Sequence, residues 1–276
     1  METTILDGRA LARRIRDEVA AAVRKDNLDP GLAVVLVGDD PASRLYVGLK
    51  EKACAEAGIR FEKHLFPQDA READIVALIR SLNGRADVDA ILIQLPLPRG
   101  LDEDAVIAAM APEKDVDGFH PANLGRFLED GAVPPGLAEV VGMLAEASGR
   151  PLAGASAAVV ANSDVFAAPL RKMLEIRGAR VSTATDLAVA DRLTREADFV
   201  VIAVGRPKWL TADKIKPGAV VIDVGTNRLD DGTVGDADSV NLAGIASAVT
   251  PVPGGVGPLT VAILLKNAVR LAKKRK

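Results

Sequence analysis

A chain of 276 residues, 49% of them hydrophobic, can bury a large core, and its length suits one large or two medium domains. With 35 basic against 38 acidic side chains, its net charge of -3 gives no general pull toward nucleic acid or an anionic membrane. The one cysteine, Cys54, excludes an intrachain disulfide and a multi-cysteine zinc site, and no metal is expected.

The opening "METTILDGRALARRIRDEVA" carries charges through its apolar stripe, so it does not read as a signal peptide. No charge-free run reaches transmembrane length, and a soluble cytoplasmic protein is the expectation. Residues 8–25 read as an amphipathic helix, followed by a buried strand in "LAVVLVG" (32–38). "SRLYVGLKEKACAEAG" (43–58) is helical, with Gly58 as its C-cap and Cys54 as a packing residue among alanines. "IRFEKHLFP" is the next strand, and "READIVALIRSLNG" a helix stopped at Asn83-Gly84. "VDAILIQLPLP" (88–98) is a strand running into a proline-rich loop, and 111–125 reads as a loop. A second cycle opens near Gly154 with a strand at 155–161, the helix "AAPLRKMLEIRG" and the strand "ARVSTAT". Two further buried strands are "DFVVIAVG" (198–205) and "GAVVIDVG" (218–225). A Gly/Pro turn then leads into a long final helix, whose basic end "RLAKKRK" reads as a solubilising terminus. Strands alternating with helices of this length imply parallel β/α units, an α/β fold with the rhythm of a doubly wound sheet.

Several stretches carry more than periodicity: "VGDDPASRLYVGLKEKACAEAGI" (37–59), "ILIQLPLP" (91–98), "PEKDVDGFH" with "NLG" (112–125), "VIDVGTNR" (221–228) and "TPVPGGVGPLT" (250–260). In this order and spacing the chain resembles the bifunctional methylenetetrahydrofolate dehydrogenase/cyclohydrolase family over nearly its full length. The resemblance implies two α/β domains flanking a cleft, the second a Rossmann-like parallel sheet. Residues 1–148 with 249–276 would form the folate-binding catalytic domain, and 149–248 the nominal NAD(P)-binding domain. It also implies a tetrahydrofolate derivative as substrate, NAD or NADP as oxidant, and a homodimer.

Tyr46 and Lys50 stand i,i+4 on one helix and can face one cleft. Read alone, Lys50 is a solvated lysine, Tyr46 a core or rim aromatic, and Gln94 a strand-end cap. By resemblance Lys50 is the catalytic lysine, activating or orienting the water that attacks the methenyl carbon. Tyr46 then packs on the folate, and Gln94 fixes Lys50 by a hydrogen bond. Asp117 matches the carboxylate that recognises the pterin, a role suited to an acceptor-only group facing the donor edge of an aminopyrimidine. Asp115 reads as a structural loop cap, and His120 is unassigned. Gly257, Pro258 and Thr260 are expected near the bound folate.

The nicotinamide region departs from the family pattern. After the first strand, Gly-Arg-Ser becomes Ala161, Asn162 and Ser163, and a further glycine becomes Ala167. A His-Ser pair after the second strand becomes Thr185 and Asp186, and the small apolar residue of "DVG-x-N" is Thr226. The missing arginine is the one that meets the 2'-phosphate of NADP. Loss of a charge-assisted hydrogen bond costs roughly 1.5–3 kcal/mol, and Asp186 adds the wrong charge, so tight NADP binding is disfavoured. An acid at this place accepts from ribose hydroxyls instead, which leaves NAD open. Alanine for glycine adds Cβ atoms where a pyrophosphate needs close approach. Gly205 lines the cofactor side; Lys208 and Trp209 read as a loop cation and a packing aromatic. The expectation is therefore hydrolysis of 5,10-methenyltetrahydrofolate to 10-formyltetrahydrofolate, with dehydrogenase activity weak, lost or shifted to NAD. The alternatives are a fully bifunctional NAD(P)-dependent enzyme and a non-catalytic folate binder.

Overall fold

The computed structural model describes residues 2–230 and 232–275. In chain order, β1 (Thr4–Ile5) precedes α1 (Gly8–Lys25), β2 (Gly31–Val37) and α2 (Pro41–Ala57). Next come β3 (Arg60–Phe66), α3 (Glu72–Gly84), β4 (Ala90–Ile93), α4 (Glu103–Ala108), α5 (Pro121–Asp130) and α6 (Gly136–Ala147). The second cycle runs β5 (Ser156–Ala161), α7 (Asp164–Ile176), β6 (Arg180–Ala184), α8 (Leu187–Glu196), β7 (Phe199–Ala203) and β8 (Val220–Asp223). A short hairpin, β9 (Asn227–Leu229) and β10 (Gly232–Val234), then leads to β11 (Ala248–Val249) and α9 (Val256–Arg275). Among the described residues no helix is long and apolar enough to cross a membrane.

The chain divides into two compact α/β units. One holds Ala12–Arg126 and the stretch from Val261 onward; its sheet is parallel, in the order β3-β2-β4. Every residue of β2 and β4 is buried, which is why both read as continuous apolar runs rather than alternating ones. Ile75, Ile79 and Leu82 of α3 close over Ala33, Val35, Val37, Ile91 and Ile93. Burial of each such side chain contributes roughly 1.5–3 kcal/mol. The far part of α9 is tied here by Lys273 to Asp26 at 2.7 Å and Arg275 to Asp89 at 2.9 Å.

The other unit holds the stretch through Leu11 together with Phe127–Thr260. Its six strands run parallel in the order β1-β11-β8-β7-β5-β6. The core on one face is Val160, Val200, Ile202, Leu210, Val221 and their neighbours, with Trp209 partly buried against it. Lys214 sits over the Trp209 ring at 4.1 Å, consistent with a packing aromatic.

Two expectations need correction. The loop expected over 111–125 stops at His120, because Pro121 opens α5, where its missing N–H leaves no hydrogen bond unmade. His120 Nδ1 accepts from the Ala122 N–H at 3.1 Å, capping that helix. The unit boundaries also differ from 1–148 and 249–276. Residues 127–148 go with the six-stranded sheet because α6 packs on α7 and β8. The segments through Leu11 and 249–260 join it because β1 pairs with β11, and the Asp223 N–H donates to Thr250 Oγ1 at 2.8 Å.

Candidate active site

In the three-stranded unit β2 is central, with β3 on one side and β4 on the other. Ligands of such sheets lie beyond the carboxyl ends of the strands where the order reverses, here β2 and β4. Gln94 directly follows β4, and α2 follows β2 after three residues. Helix α2 is fixed at both ends. The Asp40 carboxylate accepts from the Ser43 N–H at 2.7 Å, Pro41 occupies the first position, and Gly58 closes it in the left-handed conformation. Its buried face comprises Ser43, Val47, Ala53, Cys54 and Ala57, and Tyr46 and Lys50 lie half-buried beside it, one turn apart.

Lys50 Nζ donates to Gln94 Oε1 at 2.9 Å. Gln94 is itself held twice: its N–H donates to the Val35 carbonyl at 2.9 Å, and its Nε2 donates to the Leu95 carbonyl at 2.7 Å. The amide can therefore present only its oxygen to the lysine. Burial pulls the Lys50 pKa below the ordinary lysine value, and the charge of Asp117 opposes that shift. Burial raises the Asp117 carboxyl, with Lys50 pulling it down and Asp115 pushing it up. Lys50 is thus hydrogen-bonded to Gln94 and influenced by the charge of Asp117. Cys54, one turn beyond Lys50, has its thiol pushed up to about 12 by burial and is unsuited to nucleophilic work.

The loop carrying Asp117 is shaped by its neighbour. The Asp115 carboxylate accepts from the Gly118 N–H, the His120 N–H and Asn123 Nδ2, each at 2.9 Å. Asn267 Nδ2 holds the intervening Val116 carbonyl at 3.0 Å. Asp115 is accordingly the structural cap of this loop, and Asp117 two residues on is half-buried. Gly257, Pro258 and Thr260 occupy the first turns of α9 and belong to the other unit. Thr260 Oγ1 donates back to the Gly257 carbonyl at 2.8 Å.

In the six-stranded unit the order reverses between β5 and β7. Ala161 ends β5 fully buried, and Asn162 and Ser163 are exposed. The Ser163 side chain caps α7 by accepting from the Phe166 N–H at 3.2 Å. Ala161 is 0% and Ala167 1% exposed, so their methyl groups are taken up by packing within the unit. Asp186 is the N-cap of α8, its Oδ1 accepting from the Ala188 N–H at 2.7 Å and the Val189 N–H at 3.4 Å. Gly205 follows β7 at φ +64°, with open space where a side chain would stand, and Thr226 is exposed. Among the described residues no three of His, Cys, Asp and Glu gather into a group able to hold a metal ion.

Sequence reading passed over two buried acids here, Asp223 and Asp236, 1% and 0% exposed. Asp223 Oδ1 accepts from the Gly225 and Asp236 N–H groups at 2.8 and 3.1 Å, and its Oδ2 from that of Ala237 at 2.8 Å. Asp236 accepts from Val204, Gly205 and Arg206 in turn. The available signal was an acid ending the apolar run "VVID" and the glycine before Asp236 in "VGDAD".

Comparison with known proteins agrees across the chain. The catalytic domain of tetrahydrofolate dehydrogenase/cyclohydrolase matches residues 6–117, and the NAD(P)-binding domain of the same family matches 135–276. The bifunctional protein FolD of Bordetella avium is 47% identical, the alignment covering 99% of both chains. The crystal structure of the bifunctional FolD enzyme of Campylobacter jejuni superposes with a TM-score of 0.92 at 39% identity, covering 99% of this chain and 100% of that one. The Trypanosoma brucei enzyme, crystallised with NADP cofactor and inhibitor, gives 0.93 at 33% identity, covering 99% and 98%. The chain belongs to the tetrahydrofolate dehydrogenase/cyclohydrolase family.

Proposed function

We propose that the protein is a fully bifunctional folate one-carbon enzyme, oxidising 5,10-methylenetetrahydrofolate and hydrolysing the methenyl product to 10-formyltetrahydrofolate. The observation that carries the hydrolytic half is the Lys50–Gln94 bond beside Asp117. Burial lowers the Lys50 pKa, the direction in which a lysine becomes a better proton acceptor at neutral pH. Lys50 takes a proton from the water that adds to the methenyl carbon, leaving a hydroxyl adduct. As the bond from that carbon to N5 breaks, the hydroxyl proton passes to N5, the carbon–oxygen double bond forms, and the formyl group stays on N10. Gln94 keeps the amine aimed at that water. Asp117 binds the donor edge of the pterin, and Tyr46 packs on its ring. This constellation argues against a non-catalytic binder, for which an oriented, desolvated amine has no use.

For the oxidative half, the residues of the six-stranded unit fit a nicotinamide dinucleotide. Its strand reversal, the N-terminus of α7 and the open Gly205 are what such a group requires. When bound, the nicotinamide accepts the hydride from the methylene carbon. The expectation of a weak or lost dehydrogenase gives way to the bifunctional reading, which relatives at 39–47% identity carry in their names. Burial of the Ala161 and Ala167 methyls supports the same reading. The 2'-phosphate is another matter. The residues at the ends of β5 and β6 are Asn162, Asp164 and Asp186, neutral or acidic, so NAD is favoured over NADP. We place this activity in the cytoplasm, in a homodimer. The test is one preparation assayed for methenyl hydrolysis and for hydride transfer to each nicotinamide. Hydrolysis with both transfers absent would refute the bifunctional reading; efficient NADP reduction would refute the NAD preference.

A further inference from the structure

Four hydrogen bonds converge on the Asp236 carboxylate. Oδ2 accepts from the Val204 N–H at 2.6 Å and the Gly205 N–H at 3.0 Å; Oδ1 accepts from the Arg206 N–H at 2.7 Å and from Asn227 Nδ2 at 2.9 Å. Only an acceptor-only carboxylate has room for four donors. The backbone of the same segment is joined to this loop as well. The Lys208 N–H donates to the Gly235 carbonyl at 3.0 Å, the Leu210 N–H to that of Asp236 at 2.9 Å, and the Asp238 N–H to that of Leu210 at 3.0 Å. Behind Asp236 stands Asp223, which grips the N–H groups of Asp236 and Ala237 from the end of β8.

The loop so held is unusual. Gly205 and Lys208 both have positive φ, +64° and +55°, and lysine rarely adopts that region. Such backbone persists only where the surroundings over-determine it. The loop leaves the carboxyl end of β7, at the strand reversal where a dinucleotide binds. The clamp also constrains the sequence elsewhere. A Cβ on Gly225 would meet the Asp236 Cγ at 2.3 Å, and one on Gly235 would meet the Asp223 Oδ2 at 1.9 Å. Two glycines are thus given over to letting the carboxylates in.

We propose that Asp236 is a positioning residue for the oxidative half-reaction. Its carboxylate fixes the Gly205 peptide and the 204–208 loop in the one arrangement that receives the nicotinamide dinucleotide, and Asp223 holds Asp236 in place. The inference rests on the dinucleotide reading above.

The test uses Trp209, the chain's single tryptophan, which lies in the segment that Asp236 anchors. Reduced nicotinamide absorbs where tryptophan emits, so titration with NADH or NADPH reads binding next to this loop through quenching of Trp209. Asp236→Asn keeps the shape and replaces one acceptor oxygen by a donor. The rise in the nicotinamide dissociation constant and KM is expected to exceed any fall in methenyl hydrolysis by ten-fold or more. Wild-type affinity in the variant would overturn the proposal, as would equal losses in both reactions, the mark of a generally loosened protein. Should Asp236→Asn not fold, Asn227→Ala removes one donor and leaves the three backbone bonds. A rise of two-fold or more in the same constant is expected, and no change overturns the proposal. A wild-type protein that binds neither nicotinamide overturns the dinucleotide reading itself, and this inference with it.

Discussion

The Asp236 carboxylate occupies the space that a side chain on Gly225 would need, its Cγ 2.3 Å and its Oδ2 2.4 Å from that absent Cβ. A methyl group there must push a buried carboxylate off its donors. Gly225→Ala should therefore destabilise the protein by about 2 kcal/mol or more, combining overpacking with stretched hydrogen bonds. Chemical denaturation of the two proteins measures this; a variant as stable as the parent would show that the carboxylate moves aside freely.

Replacing Lys50 by Met keeps the aliphatic stem and removes the amine. Methenyl hydrolysis should fall ~100-fold or more, the usual worth of a positioned acid or base, while folate affinity changes far less. Equal hydrolysis rates in parent and variant would take Lys50 out of the chemistry. Gln94→Ala should lower the same rate roughly ten-fold, the effect of losing one hydrogen bond to a charged group.

Asp117 holds the Lys50 pKa up against burial. Its replacement by Asn removes that attraction, so the lysine should lose its proton at lower pH. The rising limb of the hydrolysis pH profile is expected to move to lower pH in Asp117→Asn, and folate affinity to drop about ten-fold or more. A limb that stays in place would mean that a group other than Lys50 sets it.

Asp223 has its pKa raised to about 7 by burial, with Asp236 adding to the rise and the N–H groups of Ala237, Asp236 and Gly225 opposing it. A raised carboxyl pKa means the folded protein holds a proton that the unfolded chain has already released. The stability this contributes is full below about 3.8 and is lost as pH climbs to about 7. Asp223→Asn does not titrate, so its thermal midpoint should decline less than the parent's across that window. Parallel curves for the two proteins would refute the assignment.

Asn162 and Asp186 set the choice between the nicotinamides in this reading. Serine, like aspartate, caps helices well, so Asp186→Ser spares α8 while removing a charge. Combined with Asn162→Arg, it should raise the ratio of NADP to NAD turnover ~10-fold or more. An unchanged ratio would place the discrimination elsewhere in the unit.

The sequence by itself determined the strands β2, β5, β7 and β8, because parallel strands buried on both faces are written as unbroken apolar runs. It also placed Tyr46 and Lys50 on one helix stripe, since i,i+4 spacing is a local property, and marked Gln94 as a strand end. The tertiary structure alone decided the rest. β1 and β11 are two residues each, too short for any period, and exist only because they pair across the sheet. The loop over 111–125 shortened because Pro121 starts a helix that His120 caps. The Ala161 and Ala167 methyls read as obstacles in a glycine pattern, yet packing buries them. Asp223 and Asp236 look in sequence like ordinary polar residues between strands. Their role depends on N–H groups up to 32 residues away, and only chain folding brings those donors to the carboxylates.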